Sequence, residues 1–263
     1  MGLFGNLFRK KEVLPPFDIG RFKVDMHSHL IPGIDDGSQD MDQTIAMLAK
    51  FESLGFKKVV TTPHVMMDSF PNSPETILKG LEEVREEIKK VGINIEIDAA
   101  AEYYFDETLM PKIKNKELLT FGDNFVLVEF AFHSPPQYLE KLFFELKTNG
   151  YRPVIAHFER YMYYFGKIET AKEWRSNGIN IQINLNSLSG QYGPEVRKQA
   201  EKLIDEGQFD FVGTDCHRIE HLMLLEDNLR HPYIHKIGNY LVTNLVISFS
   251  PRIVTFTPIF SSE

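Results

Sequence analysis

A chain of 263 residues, 43% hydrophobic and 25% charged, is long enough to bury one large core and has the composition of a globular protein. Its formal net charge of −8 excludes the broad basic face of a nucleic-acid-binding protein. One cysteine, Cys216, excludes an intrachain disulfide, and no apolar run is long enough to cross a bilayer; with no signal peptide in view, a cytoplasmic location is expected.

Residues 1–20 read as an N-terminal extension and 21–263 as a single barrel domain. In the extension, Leu3, Phe4, Leu7 and Phe8 precede a basic run, Arg9 to Lys11, and Pro15 and Pro16 end what reads as a loose tail. Such a tail supports only weak contact with an anionic membrane surface. Asn6 stands where a myristoylation signal needs Ser or Thr.

A first strand is expected at about 22–27, running into HSH, followed by the turn-rich IPGIDDGSQ. Asp40 then caps a helix with Gln43 as its reciprocal partner; Met41, Ile45 and Leu48 form its apolar face and Gly55 ends it. KKVVTTP is the second strand. Ser73 caps a second helix with Pro74 at its first position, the stripe Ile77, Leu81, Val84 and Ile88, and Gly92 at its end. INIEIDAAAE is the third strand, and FVLVEF a fourth whose near-continuous apolarity fits cover on both faces. A helix over 136–149 carries Leu139, Leu142, Phe143 and Leu146; PVIAHF is the fifth strand, followed by a helix with Trp174 that stops near Gly178. INIQINLN is the sixth strand, and a helix then begins at Pro194, packs Val196, Ala200 and Leu203, and stops at Gly207. FDFVGTDC is the seventh strand, the chain reads as helical to about 242, and SFSPRIVTFTPIF has no clear pattern. Seven alternations predict an α/β fold whose parallel sheet closes as a barrel.

The residues that carry chemistry share one address. His27 and His29, Asp35 and Asp36, His64, Glu102, Glu129, His157, Asp215 and His217 all fall at or just after the C-terminal ends of predicted strands, where barrels of this type place their catalytic groups. A spacing of two points His27 and His29, and likewise Asp215 and His217, to one face, with Ser28 and Cys216 turned away. Imidazole and carboxylate without thiolate suit manganese, iron or zinc in an open catalytic site. His133, His221, His231 and His235 lie outside this pattern, and of these His133 and His221 follow rim strands closely enough to reach a substrate. Tyr103 and Tyr104 are expected to wall the pocket, and Asn184 and Asn186 to end the sixth strand without acting as ligands. A cysteine phosphoenzyme would need arginine where Leu222 stands.

In order, HSH, DDG, TPH, AEYY, VEF, AHFERY and TDCH resemble the polymerase-and-histidinol-phosphatase (PHP) superfamily over about residues 24–218. More closely, they resemble its CpsB/YwqE-type manganese-dependent protein-tyrosine phosphatases, associated with capsule and exopolysaccharide production. The resemblance implies a distorted (β/α)7 TIM-like barrel holding three divalent ions, manganese first, with iron or zinc as alternatives. It implies one ion on His27, His29, Glu102 and Asp215, with Glu102 bridging to a second on Glu129 and His157. The third would sit on Asp36, His64 and His217, the second aspartate of DDG taking this place and not Asp35. Arg160, in HFER, matches a phosphate-contacting arginine, and Arg218 is the nearby candidate for the family's second one. Two departures stand out: TNLVISFSPRI replaces an NP-type motif, and the N-terminal extension has no family counterpart.

The implied reaction is hydrolysis of phosphotyrosine on protein. A metal-held hydroxide would attack phosphorus, the ions and Arg160 would stabilise the equatorial charge, and Asp215 or a neighbouring carboxylate would relay a proton. The implied partner is the tyrosine-rich tail of a bacterial tyrosine kinase controlling polysaccharide export, so membrane contact would come through the substrate; no nucleic-acid partner and no particular oligomeric state are implied. Two rival readings use the same residues: a small-molecule phosphoesterase of the histidinol-phosphate type (or an exonuclease), and a slow phosphotyrosine-binding regulator.

Overall fold

The computed structural model describes residues 13–244; the apolar and basic residues of the N-terminal extension and the SFSPRIVTFTPIF tail lie outside them. The first elements are β1 (Val24–Asp25), α1 (Met41–Ser53), β2 (Lys58–Thr61), β3 (His64–Val65), α2 (Pro74–Val91), β4 (Glu96–Ala99), β5 (Glu102–Tyr104) and α3 (Leu109–Asn115). They are followed by β6 (Phe125–Glu129), α4 (Leu139–Thr148), β7 (Arg152–Ile155), α5 (Ile168–Ser176), β8 (Asn180–Asn184), α6 (Pro194–Asp205), β9 (Phe211–Gly213), α7 (Ile219–Asp227) and α8 (Pro232–Asn244).

All strand pairings are parallel, in the orders β1-β2-β4 and β3-β5-β6-β7-β8-β9. The nine short strands fill seven positions, because β2 with β3 and β4 with β5 are each one predicted strand, interrupted at 62–63 and 100–101. Pro63 explains the first break, having no N–H for a ladder. The sheet stays stitched across both breaks by Ala100 N–H to the Thr61 carbonyl (2.9 Å) and Glu102 N–H to the Pro63 carbonyl (3.1 Å). The ring closes at its C-terminal end, where Asp215 N–H donates to His27 (2.8 Å) and His29 N–H to Cys216 (2.8 Å), with Ser28 and Cys216 as a parallel bridge. Below that point a side chain replaces the ladder: the buried Asp25 carboxylate accepts from Thr214 N–H (2.8 Å) and Oγ1 (3.1 Å). This is the parallel α/β barrel that the seven alternations predict, with the distortion that the resemblance implies.

Period-two alternation then sorts the strand residues. Met26, Val60, Ala100, Leu127, Val154 and Ala156 form an apolar plug inside the barrel, bounded by Phe125 and Phe211. Two residues beyond Ala100 and Leu127, on the same faces, stand Glu102 and Glu129, and two steps of two beyond Phe211 stands Asp215. Odd-parity neighbours such as Tyr103, Val126, Val128, Ile155, Ile181 and Ile183 face the helices in the main core. The rule corrects one expectation. Tyr103 belongs to that outer core, 2% exposed, its hydroxyl accepting from Leu119 N–H, so of the tyrosine pair only Tyr104 faces a cleft.

The helices follow their capping chemistry. Asp40 accepts from Gln43 N–H (2.9 Å) and Gln43 Nε2 donates back to its carboxylate (3.1 Å), while the buried face of α1 is Thr44, Met47, Leu48 and Phe51, rotated from the stripe expected. Ser73 caps α2 and the predicted stripe is the buried one. Three boundaries differ from expectation. A 3-10 turn, Ile19–Phe22, replaces the start of strand one; α4 begins only at Leu139, after Pro135 and Pro136; and the C-terminal helix is split into α7 and α8 just before Pro232. Helix α3 was not legible at all. No described helix is long and apolar enough to cross a membrane.

Candidate metal centre

The mouth of the barrel gathers residues from five strand ends and the loop after β1. Nε2 of His27 lies 3.3 Å from Glu102 Oε2 and 3.3 Å from Asp215 Oδ1, and Nε2 of His29 lies 3.5 Å from each of the same oxygens. His157 Nε2 is 3.0 Å from Glu102 Oε1 and 3.5 Å from Glu129 Oε1. His64 faces carboxylates on both sides, Nδ1 toward Glu102 (3.2 Å) and Glu129 (3.7 Å), Nε2 toward Asp36 (3.5 Å). His217 Nε2 meets the same Asp36 oxygen at 3.4 Å.

Among the described residues, four groupings place one ligand atom per residue within 4.8 Å of one another: His29, Asp36, His64 and His217; His27, His29 and Asp215; His27, Glu102 and His157; and His64, Glu102 and Glu129. The nine residues expected as ligands are therefore all brought together. The groupings share members, with His64 standing between two of them where the expected allocation used it once. Divalent cations fit this set. The Glu102 Oε2 and His64 Nδ1 atoms are buried, face each other and have no hydrogen-bond partner, an arrangement that costs free energy unless a cation takes both.

The local backbone is strained where the site needs it. His157 (φ 31°) and Asp215 (φ 51°) sit in the left-handed region; His157 directly follows the inward-facing Ala156, so it is out of phase with the strand's inward parity, whereas Asp215 keeps it. Glycine makes room at two points. A Cβ on Gly213 would lie 2.7 Å from His27 Cβ, and one on Gly37 would lie 2.3 Å from His29 Cβ.

A polar network behind the ligands sets their orientation. Gln182 Oε1 accepts from His157 N–H (2.7 Å) and lies 3.2 Å from His27 Nδ1; Gln182 Nε2 donates to Asn184 Oδ1 (2.8 Å), and Asn184 Nδ2 to Asp215 Oδ2 (2.7 Å). Asp35 Oδ2 lies 2.8 Å from His29 Nδ1 and accepts from His64 N–H (3.0 Å). Both histidines of HSH thus have Nδ1 held from behind, leaving Nε2 toward the shared carboxylates, as metal-ligating histidines usually are. Of these, Gln182 has no part in the sequence reading, Asn184 is expected only to end its strand without acting as a ligand, and Asp35 is expected at the rim but not as the ligand of the acidic pair. A signal existed: Gln182 and Asn184 are the inward, polar residues of a strand whose Ile181 and Ile183 face the core.

Charge in the cluster is finely divided. Burial works to raise the Glu102 carboxyl, but His27 and His64 outweigh it and hold that group well below its usual range. Burial, reinforced by Glu102, pushes Glu129 well above its own. Burial works against charge on His27 and His29, but Glu102 and Asp215 raise the first and Asp35 raises the second. Burial, helped by Arg160, drives His157 down to about 4, so it is neutral and free to act as a ligand.

Arg160 reaches the centre, its Nη1 3.1 Å from Asp215 Oδ2. Arg218 is exposed at the start of α7, directly after His217, and its side chain makes no hydrogen bond or ion pair among the described residues. His221 is buried behind His217, with Nδ1 3.2 Å from the Asp215 carbonyl, whereas His133 is exposed beside Met162. The Cys216 thiol is fully buried 3.6 Å from Met47 Sδ, and burial pushes it well above its ordinary value, which leaves it no nucleophilic role.

Fold and site together define a parallel α/β barrel with a candidate polynuclear metal centre at its mouth. The chain belongs to the CpsB/CapC family, described as capsular polysaccharide synthesis, which it matches over residues 23–254. It is 30% identical to a putative tyrosine-protein phosphatase CapC of Staphylococcus aureus, over 88% of this chain and 92% of that protein. To the tyrosine-protein phosphatase YwqE of Bacillus subtilis it is 27% identical, over 75% of this chain and 78% of that one. A crystal structure reported for YwqE of Bacillus subtilis and CpsB of Streptococcus pneumoniae, described as metal-dependent tyrosine phosphatases, shares the fold at a TM-score of 0.70 and 24% identity, over 84% of this chain and 94% of that one.

Proposed function

We propose that this chain is a metal-dependent protein-tyrosine phosphatase acting in capsular or exopolysaccharide synthesis. The observation that carries the reading is the convergence of His27, His29, Asp36, His64, Glu102, Glu129, His157, Asp215 and His217 on one mouth, with Arg160 joined to it through Asp215. Family membership and tyrosine-phosphatase relatives support it. These nine residues would hold three divalent ions, manganese by preference, and Glu102 belongs to two of the groupings. Such ions lower the pKa of water and offset phosphoryl charge.

The chain's own groups do the rest. Glu102 and Asp215, ionised, supply the negative charge that retains cations. Gln182 and Asp35 fix the imidazole tautomers of His27 and His29. Arg160 offers planar donors to the non-bridging oxygens of a phosphoryl group. Arg218, exposed directly after the ligand His217, is the candidate for a second cationic contact to phosphate. The substrate assigned is a phosphotyrosyl segment of protein, on the tail of a bacterial tyrosine kinase, acting from the cytoplasmic side.

The test is phosphate release from a phosphotyrosyl peptide with manganese, before and after chelation, beside a phosphoserine peptide and a His157→Ala variant. Release that is specific for phosphotyrosine, abolished by chelator and lost in the variant supports the reading. Metal-loaded protein that leaves the peptide intact but hydrolyses small phosphomonoesters would move the assignment to the histidinol-phosphate type, and protection of the peptide without turnover would move it to a binding regulator.

A further inference from the structure

Arg160 is held in an unusual way for a partly exposed cation. Its Cζ lies over the Phe132 ring, 4.3 Å from the centroid, and over the Tyr192 ring at 4.5 Å, so the guanidinium meets the faces of two aromatic rings. The side chain is 23% exposed and makes one hydrogen bond among the described residues, Nη1 to Asp215, which leaves most of its N–H donors unspent.

The loop that supplies Tyr192 is built to present it. Gly190 (φ 86°) ends the 3-10 turn Leu185–Ser189, Gly193 (φ 99°) precedes α6, and Gly193 N–H donates to the Gly190 carbonyl at 2.9 Å. That bond closes a four-residue turn, GQYG, with Tyr192 at its third position. Phe132 comes from the loop after β6 and is itself anchored, its ring stacked on Tyr161 at 5.9 Å and tilted against His157 at 5.5 Å.

We propose that Tyr192, with Phe132, is a positioning residue that clamps the flat faces of Arg160 so that the guanidinium edge is presented to substrate phosphate beside the metal centre. Guanidinium faces are weakly hydrated and are favoured over aromatic rings, whereas its edge keeps full hydrogen-bonding capacity. Fixing the plane in advance removes the ordering cost of a long side chain when phosphate binds. The clamp rests on the phosphatase reading for its purpose, but it is measurable without turnover.

The experiment is calorimetric titration of inorganic phosphate into manganese-loaded wild type, Tyr192→Phe, Tyr192→Leu and Tyr192→Met, each also in an Arg160→Lys background, with KM and kcat on a phosphotyrosyl peptide alongside. Phenylalanine keeps the ring and should stay within about twofold of wild type; leucine and methionine should weaken phosphate binding and raise KM by about five- to tenfold, with kcat changed less. In the Arg160→Lys background, Tyr192→Leu should add less than about twofold, because the stacked plane is already gone. The clamp is overturned if leucine and methionine bind phosphate as wild type does, if phenylalanine fails as they do, or if the loss is as large beside lysine as beside arginine. Peptide left intact while phosphate affinity follows the expected order would sink the phosphatase reading and leave the clamp standing.

Discussion

At the residue scale, the side chains behind the ligands matter as much as the ligands. Gln182 binds the backbone of His157 and the ring of His27 through one oxygen, and passes a hydrogen bond through Asn184 to Asp215. Replacing it with leucine fills the volume but removes all three links. Gln182→Leu should lower manganese affinity by about 10–100-fold, read by calorimetry or by metal content after dialysis; unchanged affinity would show that the imidazoles hold their orientation unaided. Gly213→Ala tests the same face sterically. Its Cβ would press on His27 Cβ at 2.7 Å, so a loss of about 1–3 kcal/mol in urea denaturation is expected, together with weaker metal retention. Of this the sequence showed the ligands, because HSH, DDG and TDCH are local patterns. It did not show which amide stands behind which imidazole, since Gln182 lies 155 residues from His27 along the chain.

At the element scale, alternation and capping carried most of the architecture. Helix α2 was legible from Ser73 to Gly92 because its cap, stripe and C-terminal glycine are all local. Helix α3 was not: with seven residues and Pro111 inside, it is too short to show a periodic stripe. The strand break at 62–63 has a local mark in Pro63, but the break at 100–101 depends on pairing to neighbours, which no single segment reveals. Gly80 separates propensity from packing. In an exposed helix Gly→Ala stabilises by about 1 kcal/mol, but here the new Cβ would sit 2.3 Å from Ile31 Cγ2, just past the HSH strand end. Gly80→Ala should therefore destabilise, by about 1–3 kcal/mol in thermal or urea unfolding. A stabilised variant would mean that Ile31 yields without strain.

For the whole molecule, metal, protons and stability are linked. His27, His29 and Glu129 have raised affinities for protons, so cations entering the centre must displace some of them. Manganese titrations near pH 7 in buffers of different ionisation enthalpy should show release of about one proton or more, and affinity should rise with pH. Manganese at about 100 times its Kd should stabilise the fold by about 3 kcal/mol, raising Tm by about 5–10 °C, and chelator should reverse it. Asp25 contributes in the opposite direction. Burial pushes its carboxyl from 3.8 up to about 7, against the lowering effect of Thr214 and His27. The folded carboxyl therefore binds its proton more tightly than the unfolded one, and the stability it contributes is present at low pH and lost as pH rises from about 4 to about 7. In metal-free protein, Asp25→Asn should flatten that part of the stability profile; an unchanged slope would place the linkage elsewhere.

The sequence by itself determined the α/β class, the count of seven strand positions and the shared address of the histidines and carboxylates, because period-two and period-3.6 patterns and strand-end motifs are readable within a few residues. Only the tertiary structure decided that His64 stands between two groupings, that Tyr103 is core and Tyr104 cleft, and that Asp35, Gln182 and Asn184 brace the centre. It also decided that the Arg160 guanidinium lies against both Phe132 and Tyr192 while Arg218 is exposed. Each of these depends on distances between segments far apart in the chain, which closure of the barrel sets and local pattern does not.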